Sequence, residues 1–200
     1  MNYTDLPFCK QNALSPLYGP STVCDFSKPM PDYQLKTPHS SAFTMVRGPV
    51  VDGRVSYSNN GEWCVSYYEL TIQTSATNLV NLVITSNTYS VDCGTLDKGT
   101  EVVGFYNSLA SEANFVPPAY DAVVMAFALH NRMIKADFFD CFLVSQDHLL
   151  QLEITNNTYV VDRNGKPYCG TLSNKYLVVL YSSATDSRPA KTQPNVVIVL

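Results

Sequence analysis

A fifteen-residue motif that occurs twice is the feature that most constrains this chain. Residues 82–96 read LVITSNTYSVDCGTL, and residues 152–162 read LEITNNTYVVD. A six-residue insertion, from Arg163 to Tyr168, follows in the second copy before residues 169–172 complete it as CGTL. Twelve of the fifteen positions are identical. A match this dense indicates a chain built from two versions of one β-rich unit.

The patterning around the motif predicts an all-β fold, a β-sandwich or closed barrel made of two copies of that unit. Residues 63–72 alternate between two faces, as a half-buried strand does. Leu82 and Ile84 are predicted to point inward, and Leu152 and Ile154 take the same places in the second copy. Tight turns are expected where Asn-Gly or Asn-Thr pairs interrupt the apolar runs. Ten to twelve short strands result, which is typical of sandwiches and barrels.

Two parts of the chain stand apart from this pattern. Residues 1–41 hold six of the twelve prolines and are predicted to form an extended N-terminal arm, since repeated proline opposes helix and central strand. Residues 42–200 are then a single β domain whose repeat covers about 55–108 and 133–183. The stretch 119–135 allows helix or strand, and strand is favoured because its large apolar residues share one face. A hairpin turn is then expected at residues 130–132.

Composition narrows the class of function. Charged residues make up 15% of the chain, tyrosines number 13, and the net charge is −4. A charge-poor, tyrosine-rich β-protein is typical of extracellular or virion surfaces. The scattered basic residues form no patch for nucleic acid, and no apolar run is long enough to cross a membrane. The N-terminus also lacks the features of a signal peptide.

Six cysteines allow three disulfides. The repeat suggests one set of pairings, in which each copy joins a cysteine before the motif to the one inside it, and the two N-terminal cysteines pair with each other: Cys64–Cys93, Cys141–Cys169 and Cys9–Cys24. The alternative is that these are buried free thiols of an intracellular protein.

Cys169 supports an enzymatic alternative. A cysteine followed by glycine, in a chain of two β-units, resembles the nucleophile of chymotrypsin-like viral cysteine proteases, with His39 as the base and Asp92 or Asp121 as the third member. Tyr168 stands where such enzymes carry a small residue, and the repeated Cys93-Gly94 favours a structural role. No spacing of histidines or cysteines predicts a metal site, and no motif predicts a cofactor.

The candidate binding residues are aromatic and polar groups where the two copies differ. Tyrosine and tryptophan offer rigid area for contact with protein or glycan, and the insertion adds polar side chains. The candidates are Tyr57, Trp63 and Tyr67 around the predicted hairpin, and Arg163, Asn164, Lys166 and Tyr168 in the insertion. Two glycosylation sequons begin at Asn2 and Asn156. Packing of the aromatic residues in the core is the competing interpretation.

In texture the chain resembles viral attachment domains and capsid spikes. The stretch from Gly99 to Phe105 is similar to a piece of adenovirus fibre heads, and astrovirus spikes share the size and composition. The resemblance implies a non-enzymatic, receptor-binding domain on the virion surface, contacting a host protein or glycan and forming a symmetric homo-oligomer. The alternatives are the cysteine protease and an accessory protein of the host cytoplasm that binds a host factor.

Overall fold

A computed structural model describes residues 40–59, 64–110 and 116–200, without the side chains of residues 56–59 and 64–66. These residues form strands and no helix, which confirms the all-β prediction. Within this part of the chain no helix could therefore span a membrane. The predicted arm, residues 1–41, lies almost wholly outside it. The strands are β1 Phe43–Asn59, β2 Cys64–Gln73, β3 Leu79–Ile84, β4 Tyr89–Ser90, β5 Glu101–Asn107, β6 Ala119–Phe127, β7 Met133–Phe139, β8 Leu150–Leu152, β9 Tyr159–Asp162, β10 Lys175–Tyr181, β11 Ala190–Thr192 and β12 Val196–Val199.

The chain divides into two compact units. Of the described residues, unit 1 contains Phe43–His130, and unit 2 contains Asn131–Leu200 together with residues 40–42. Unit 1 therefore holds strands β1–β6 and unit 2 holds β7–β12.

Unit 1 is a six-stranded sheet in the order β3-β2-β1-β5-β6-β4. Its neighbouring strands are mostly antiparallel, and β6 also pairs in parallel with β3 and β4. The first strand is long because it pairs twice. Residues 43–49 pair with β5, and residues 50–59 pair with β2 as a hairpin.

Unit 2 has a four-stranded sheet in the order β7-β10-β12-β9 and a second sheet in which β8 and β11 pair in parallel. Strand pairing in unit 2 resembles that in unit 1. β7 pairs with β10 as β1 pairs with β5, and β10 pairs with β12 as β5 pairs with β6. The parallel pairs of β11 with β8 and of β12 with β9 resemble those of β6 with β3 and β4. The register is also common to both units. Tyr89 pairs with Val124 and Tyr159 with Val196, so the repeated tyrosine has the same partner position in each.

The repeated motif contributes to the core of each unit as predicted. Leu82 and Ile84 are 0% and 2% exposed, Leu152 is 4% exposed, and Ile154 packs against the core of unit 2. The core of unit 1 is formed by Val46, Val50, Leu70, Ile72, Leu82, Ile84, Val102, Tyr120, Ala122 and Met125. The core of unit 2 is formed by Phe139, Leu150, Leu152, Leu177, Val179, Val197 and Val199.

The repeated threonines explain the tight turns of the motif. Thr88 Oγ1 accepts a hydrogen bond from the backbone N–H of Thr85 at 3.0 Å and donates to the carbonyl of Ala122 at 2.7 Å. Thr158 Oγ1 accepts from the N–H of Thr155 at 3.2 Å and donates to the carbonyl of Pro194 at 2.9 Å. One hydroxyl thus closes the turn in each unit and also bonds a distant segment, strand β6 in unit 1 and the link between β11 and β12 in unit 2.

The ambiguous stretch 119–135 is strand, as favoured, but its predicted hairpin is wrong. Residues 119–127 form β6 and residues 133–139 form β7, with a turn at residues 130–131. The first strand pairs with β3, β4 and β5, whereas the second pairs with β10. The turn is therefore a connection from unit 1 to unit 2, and local sequence could not show it because strand partners are chosen by long-range packing.

Candidate functional site

The hairpin of β1 and β2 carries a polar row on the face opposite the core. Arg54 and Glu69 are register partners, and the guanidinium donates from Nε to Oε2 and from Nη2 to Oε1, both at 3.0 Å. Glu69 Oε1 also accepts from Asn81 Nδ2 at 2.8 Å, and Asn81 Oδ1 accepts from Thr71 Oγ1 at 2.8 Å. The hydrogen bond and the charge of Glu69 raise the pKa of Arg54. The row fixes a rigid, bidentate charge pair in which the Arg54 side chain is exposed, whereas Glu69 and Asn81 are mostly covered.

The structure describes the three aromatic candidates near this hairpin to different extents. Tyr67 lies on β2 opposite Ser56, on the same face as Glu69, and is half-buried. The backbone of Tyr57 pairs with Ser66, but its side chain lies outside the described part. Trp63 lies outside the described residues altogether.

The insertion from Arg163 to Tyr168 forms a tight hairpin. Asp162 Oδ1 accepts hydrogen bonds from the backbone N–H groups of Asn164 at 2.8 Å and of Lys166 at 2.9 Å. Gly165 has φ of +73°, the left-handed conformation that favours glycine. These backbone N–H groups, Lys166 first, lower the pKa of Asp162 against a smaller opposing effect of burial. Arg163, Asn164 and Lys166 are consequently held exposed at the tip.

Tyr168 has a structural role that sequence reasoning did not assign. Its ring packs against the core of unit 2, and its hydroxyl donates to the carbonyl of Thr171 at 3.3 Å. A Cβ at Gly170 would lie 2.4 Å from the same hydroxyl, so a larger residue there would require the Tyr168 ring to move. Tyr168 is thus held against the fold rather than presented as a free contact residue.

The cysteines differ between the units. Cys93 is disulfide-bonded, whereas Cys141 and Cys169 are free, exposed thiols. The predicted pairing of Cys141 with Cys169 is therefore absent from the structure. It assumed that Cys141 corresponds to Cys64, but Cys64 lies in the long hairpin of unit 1 and Cys141 in the short turn after β7. The predictions for Cys9 and Cys24 concern residues outside the described part, as does the side chain of Cys64.

The remaining predicted sites are less informative. Cys169 makes no hydrogen bond with any described residue, and His39, its proposed base, lies outside the described residues. Among the described side chains no group of three metal-ligating residues comes together. Asn156 is exposed, and Thr158 of its sequon is buried in the turn described above. Asn2 lies outside the described residues.

Sequence reasoning missed a charged cluster inside unit 2. Lys135 Nζ contacts Asp147 Oδ2 and lies 3.3 Å from Asp137 Oδ2. Asp137 is fully buried, and the side chains of Asp147 and Lys135 are 9% and 18% exposed. The available signal was the alternation in MIKADFF, which places Lys135 and Asp137 on the same strand face as the buried Phe139.

The surroundings of this cluster are poorly solvated. Burial first, and then the charge of Asp147, raise the pKa of the neighbouring Tyr181. Burial also acts to raise the pKa of Asp147, but hydrogen bonds from Lys135 and Ser145 outweigh it and hold that pKa below its ordinary value. These contacts therefore favour the charged form of Asp147 inside the protein.

Comparison of the chain with protein-family models, with curated proteins and with solved structures finds no match.

Proposed function

We propose that the chain is a non-enzymatic receptor-binding domain of the kind displayed on virus particles, which contacts a host protein or glycan through the hairpin of β1 and β2. The observation that carries the proposal is the length of this hairpin relative to its counterpart. In unit 1 the pair Val50–Ile72 is followed outward by residues 51–71. In unit 2 the corresponding pair Phe139–Ser145 encloses only residues 140–144.

This comparison rests on a further proposal, that the chain consists of two copies of one β-unit, with the repeat over about residues 55–108 and 133–183, arranged as a sandwich or barrel. The shared order of pairing, the shared register of the repeated tyrosines and the identical threonine bonds support it. If the copies share a scaffold, features present in only one copy are the places where binding could have been added.

The hairpin has the physical properties of a contact surface. Its polar face is ordered by the bidentate pair of Arg54 and Glu69, so little side-chain freedom is lost when a partner binds. The Arg54 side chain remains 65% exposed, and Tyr67 lies beside the pair on the same face. Arginine and tyrosine are among the residues that contribute most to interfaces.

The proposed location is outside the host cytoplasm, on a virion or in an extracellular setting. The disulfide at Cys93 supports this, because structural disulfides persist mainly in oxidising compartments. The low fraction of charged residues is in keeping with it. The net charge of −4 and the lack of a basic patch in the sequence argue against nucleic acid as a partner.

Binding of the fluorescently labelled full chain to a glycan array and to a panel of cultured cells tests the proposal. We expect saturable binding that Tyr67→Ala and Arg54→Ala each weaken at least tenfold, corresponding to about 1.4 kcal/mol. Glu153→Ala, at an exposed residue just after β8 in unit 2, is the matched control and should bind as the parent does. Absence of binding on both platforms, or binding that neither variant weakens, would overturn the proposal. Sedimentation velocity of the same samples measures whether the chain forms the expected homo-oligomer.

A further inference from the structure

The β7 positions of Lys135 and Asp137 have uncharged residues at the same registers in unit 1. Lys135 pairs with Val179, and Asp137 pairs with Leu177. At the same registers of unit 1, Val46 pairs with Gly104 and Gly48 with Val102. The corresponding strand of unit 1 therefore forms with neither charged group.

The two aspartates both turn Oδ2 toward the lysine, but only Asp147 receives a hydrogen bond from it. Asp137 Oδ1 accepts from the backbone N–H groups of Ala42 at 2.7 Å and Phe138 at 2.9 Å, while its buried Oδ2 accepts no hydrogen bond. This oxygen is 3.3 Å from Lys135 Nζ. Asp137 is thus anchored through Oδ1, and Oδ2 lies where it can take a proton from the Lys135 ammonium group.

Asp147 is held in the same way, with two donors on the oxygen that faces away from the lysine. Ser145 Oγ donates to Asp147 Oδ1 at 2.6 Å, and the backbone N–H of Leu149 donates to it at 3.1 Å. Oδ2 meets Lys135 Nζ. Two fixed donors on one carboxylate oxygen would stabilise negative charge as it develops there during attack on the carboxyl carbon.

We propose that Lys135 and Asp147 are joined by an intramolecular isopeptide bond, formed by condensation with Asp137 as the catalytic proton carrier. The chain segment between them would then be closed by a covalent amide between strand β7 and the turn before β8. This inference stands on the cluster alone and does not depend on the proposed binding function.

The reaction needs no co-reactant. The Lys135 ammonium gives one proton to Asp137 Oδ2, and the free amine attacks Cγ of Asp147. Attack on this carboxylate leaves negative charge on both oxygens of the tetrahedral intermediate, with Oδ1 held between Ser145 and Leu149 and Oδ2 facing the lysine. The C–Oδ2 bond breaks as this oxygen receives the proton held by Asp137 and a second proton from the attacking nitrogen. One water leaves, an amide with a single N–H remains, and Asp137 is again a carboxylate.

The environment favours this product. A buried ion pair carries a desolvation penalty that its mutual attraction often fails to offset. Condensation replaces both charges by a neutral amide, for which burial costs much less. The fold already holds the amine, the carboxyl group and the proton carrier in contact, so the step is effectively unimolecular. This removes the entropy cost of bringing the reactants together, which is a large part of the barrier for amide formation.

Intact-mass measurement of the full chain, denatured, reduced and alkylated, tests the bond directly. We expect the parent protein to be lighter than the mass calculated from its sequence by one water molecule. Trypsin should leave residues 133–163 as one looped peptide, uncleaved after Lys135. Chymotrypsin, which cuts after the phenylalanines between Lys135 and Asp147, should convert it to a branched peptide that contains both residues. Fragmentation of that peptide then locates the linkage.

Variants separate the bond from other causes of the mass loss. Lys135→Arg and Asp147→Ala should each restore the full mass, and Asp137→Ala should restore it or leave a mixture that converts slowly. Lys191→Ala, which removes a lysine 3.7 Å from Glu153 in the same unit, is the matched control and should keep the deficit. Circular dichroism of Lys135→Arg, which retains the positive charge, shows whether the fold survives without the bond.

Three results would overturn the proposal. The parent protein at full mass would show that the cluster is an ion pair only. A deficit that persists in Lys135→Arg, or that maps to a succinimide within one unbranched peptide, would show that the water is lost elsewhere. A branch between Lys135 and Asp137 would show that the assigned roles of the two aspartates are wrong.

Discussion

At the residue scale, paired positions at the same registers of the two units are filled by side chains of different size. Gly104 pairs with Met125 in unit 1, whereas Val179 pairs with Val197 at the same registers in unit 2. A Cβ at Gly104 would lie 2.2 Å from Leu82 Cδ1 and 2.9 Å from Met125 Sδ. A long side chain opposite glycine in one unit thus replaces two medium side chains in the other, which keeps the filled volume similar.

This exchange makes a prediction about Gly104. Gly104→Val should lower the free energy of unfolding by about 1–3 kcal/mol, because the new side chain overfills the core. Adding Met125→Val should recover part of that loss by removing one of the two clashing neighbours. Urea unfolding of the single and double variants measures both effects. A double variant less stable than Gly104→Val would contradict the packing account.

The turn threonines allow a matched test in the two units. Thr88→Val and Thr158→Val keep the side-chain shape but leave a backbone N–H and a backbone carbonyl without their hydroxyl partner. Each should cost about 1–3 kcal/mol of unfolding free energy. Thr77→Val, at an exposed turn position, should change it by less than about 0.5 kcal/mol. Equal effects of all three substitutions in urea unfolding would argue against a special role for the hydroxyl.

At the scale of the element, the hairpin of Arg163–Tyr168 is organised by one carboxylate. Asp162 accepts the N–H groups of Asn164 and Lys166, while Asp92, its counterpart in the motif, accepts instead from the N–H of Phe127 at 2.8 Å. The same aspartate therefore caps a local turn in one unit and a distant strand in the other. The inserted residues are the reason, since they supply nearby N–H groups that unit 1 lacks.

The carboxylate of Asp162 should titrate below the ordinary aspartate pKa of about 3.9, because backbone N–H groups favour its charged form. A lowered native pKa means that this group stabilises the fold above its unfolded pKa, and that the contribution is lost as pH falls through the native value. Side-chain carboxyl NMR titration checks the pKa, and the same residue in urea-unfolded chain is the control. Equal native and unfolded pKa values would count against the cap.

At the scale of the whole molecule, the state of the cysteines bears on where the protein works. Cys141 and Cys169 are exposed thiols, and Cys93 is oxidised. A thiol-reactive alkylating agent should therefore modify Cys141 and Cys169 in the native protein, and Cys93 only after reduction. Peptide mass spectrometry reads out each site. Modification of Cys93 without reduction would remove the support that its disulfide lends to an extracellular or virion-surface location.

Local sequence predicted the all-β class, the inward Leu82 and Ile84 and the Asn-Thr turns, because strand alternation and turn formation depend on residues that are close together in the chain. The repeat also led to the prediction of two similar β-units. It misassigned Cys141, since similarity ends where the hairpin of unit 1 is longer, and no short-range pattern shows where two strands stop pairing.

The cluster of Lys135, Asp137 and Asp147 depended on tertiary structure. The alternation on β7 could indicate that two charges face inward, but not that a turn ten residues beyond Asp137 would bring Asp147 against them. Charge, burial and distance combine there only after β7 pairs with β10 and the turn before β8 closes over the strand. Period-two patterns determine which face a residue occupies, whereas the partner that it meets is decided by packing between segments distant in the chain.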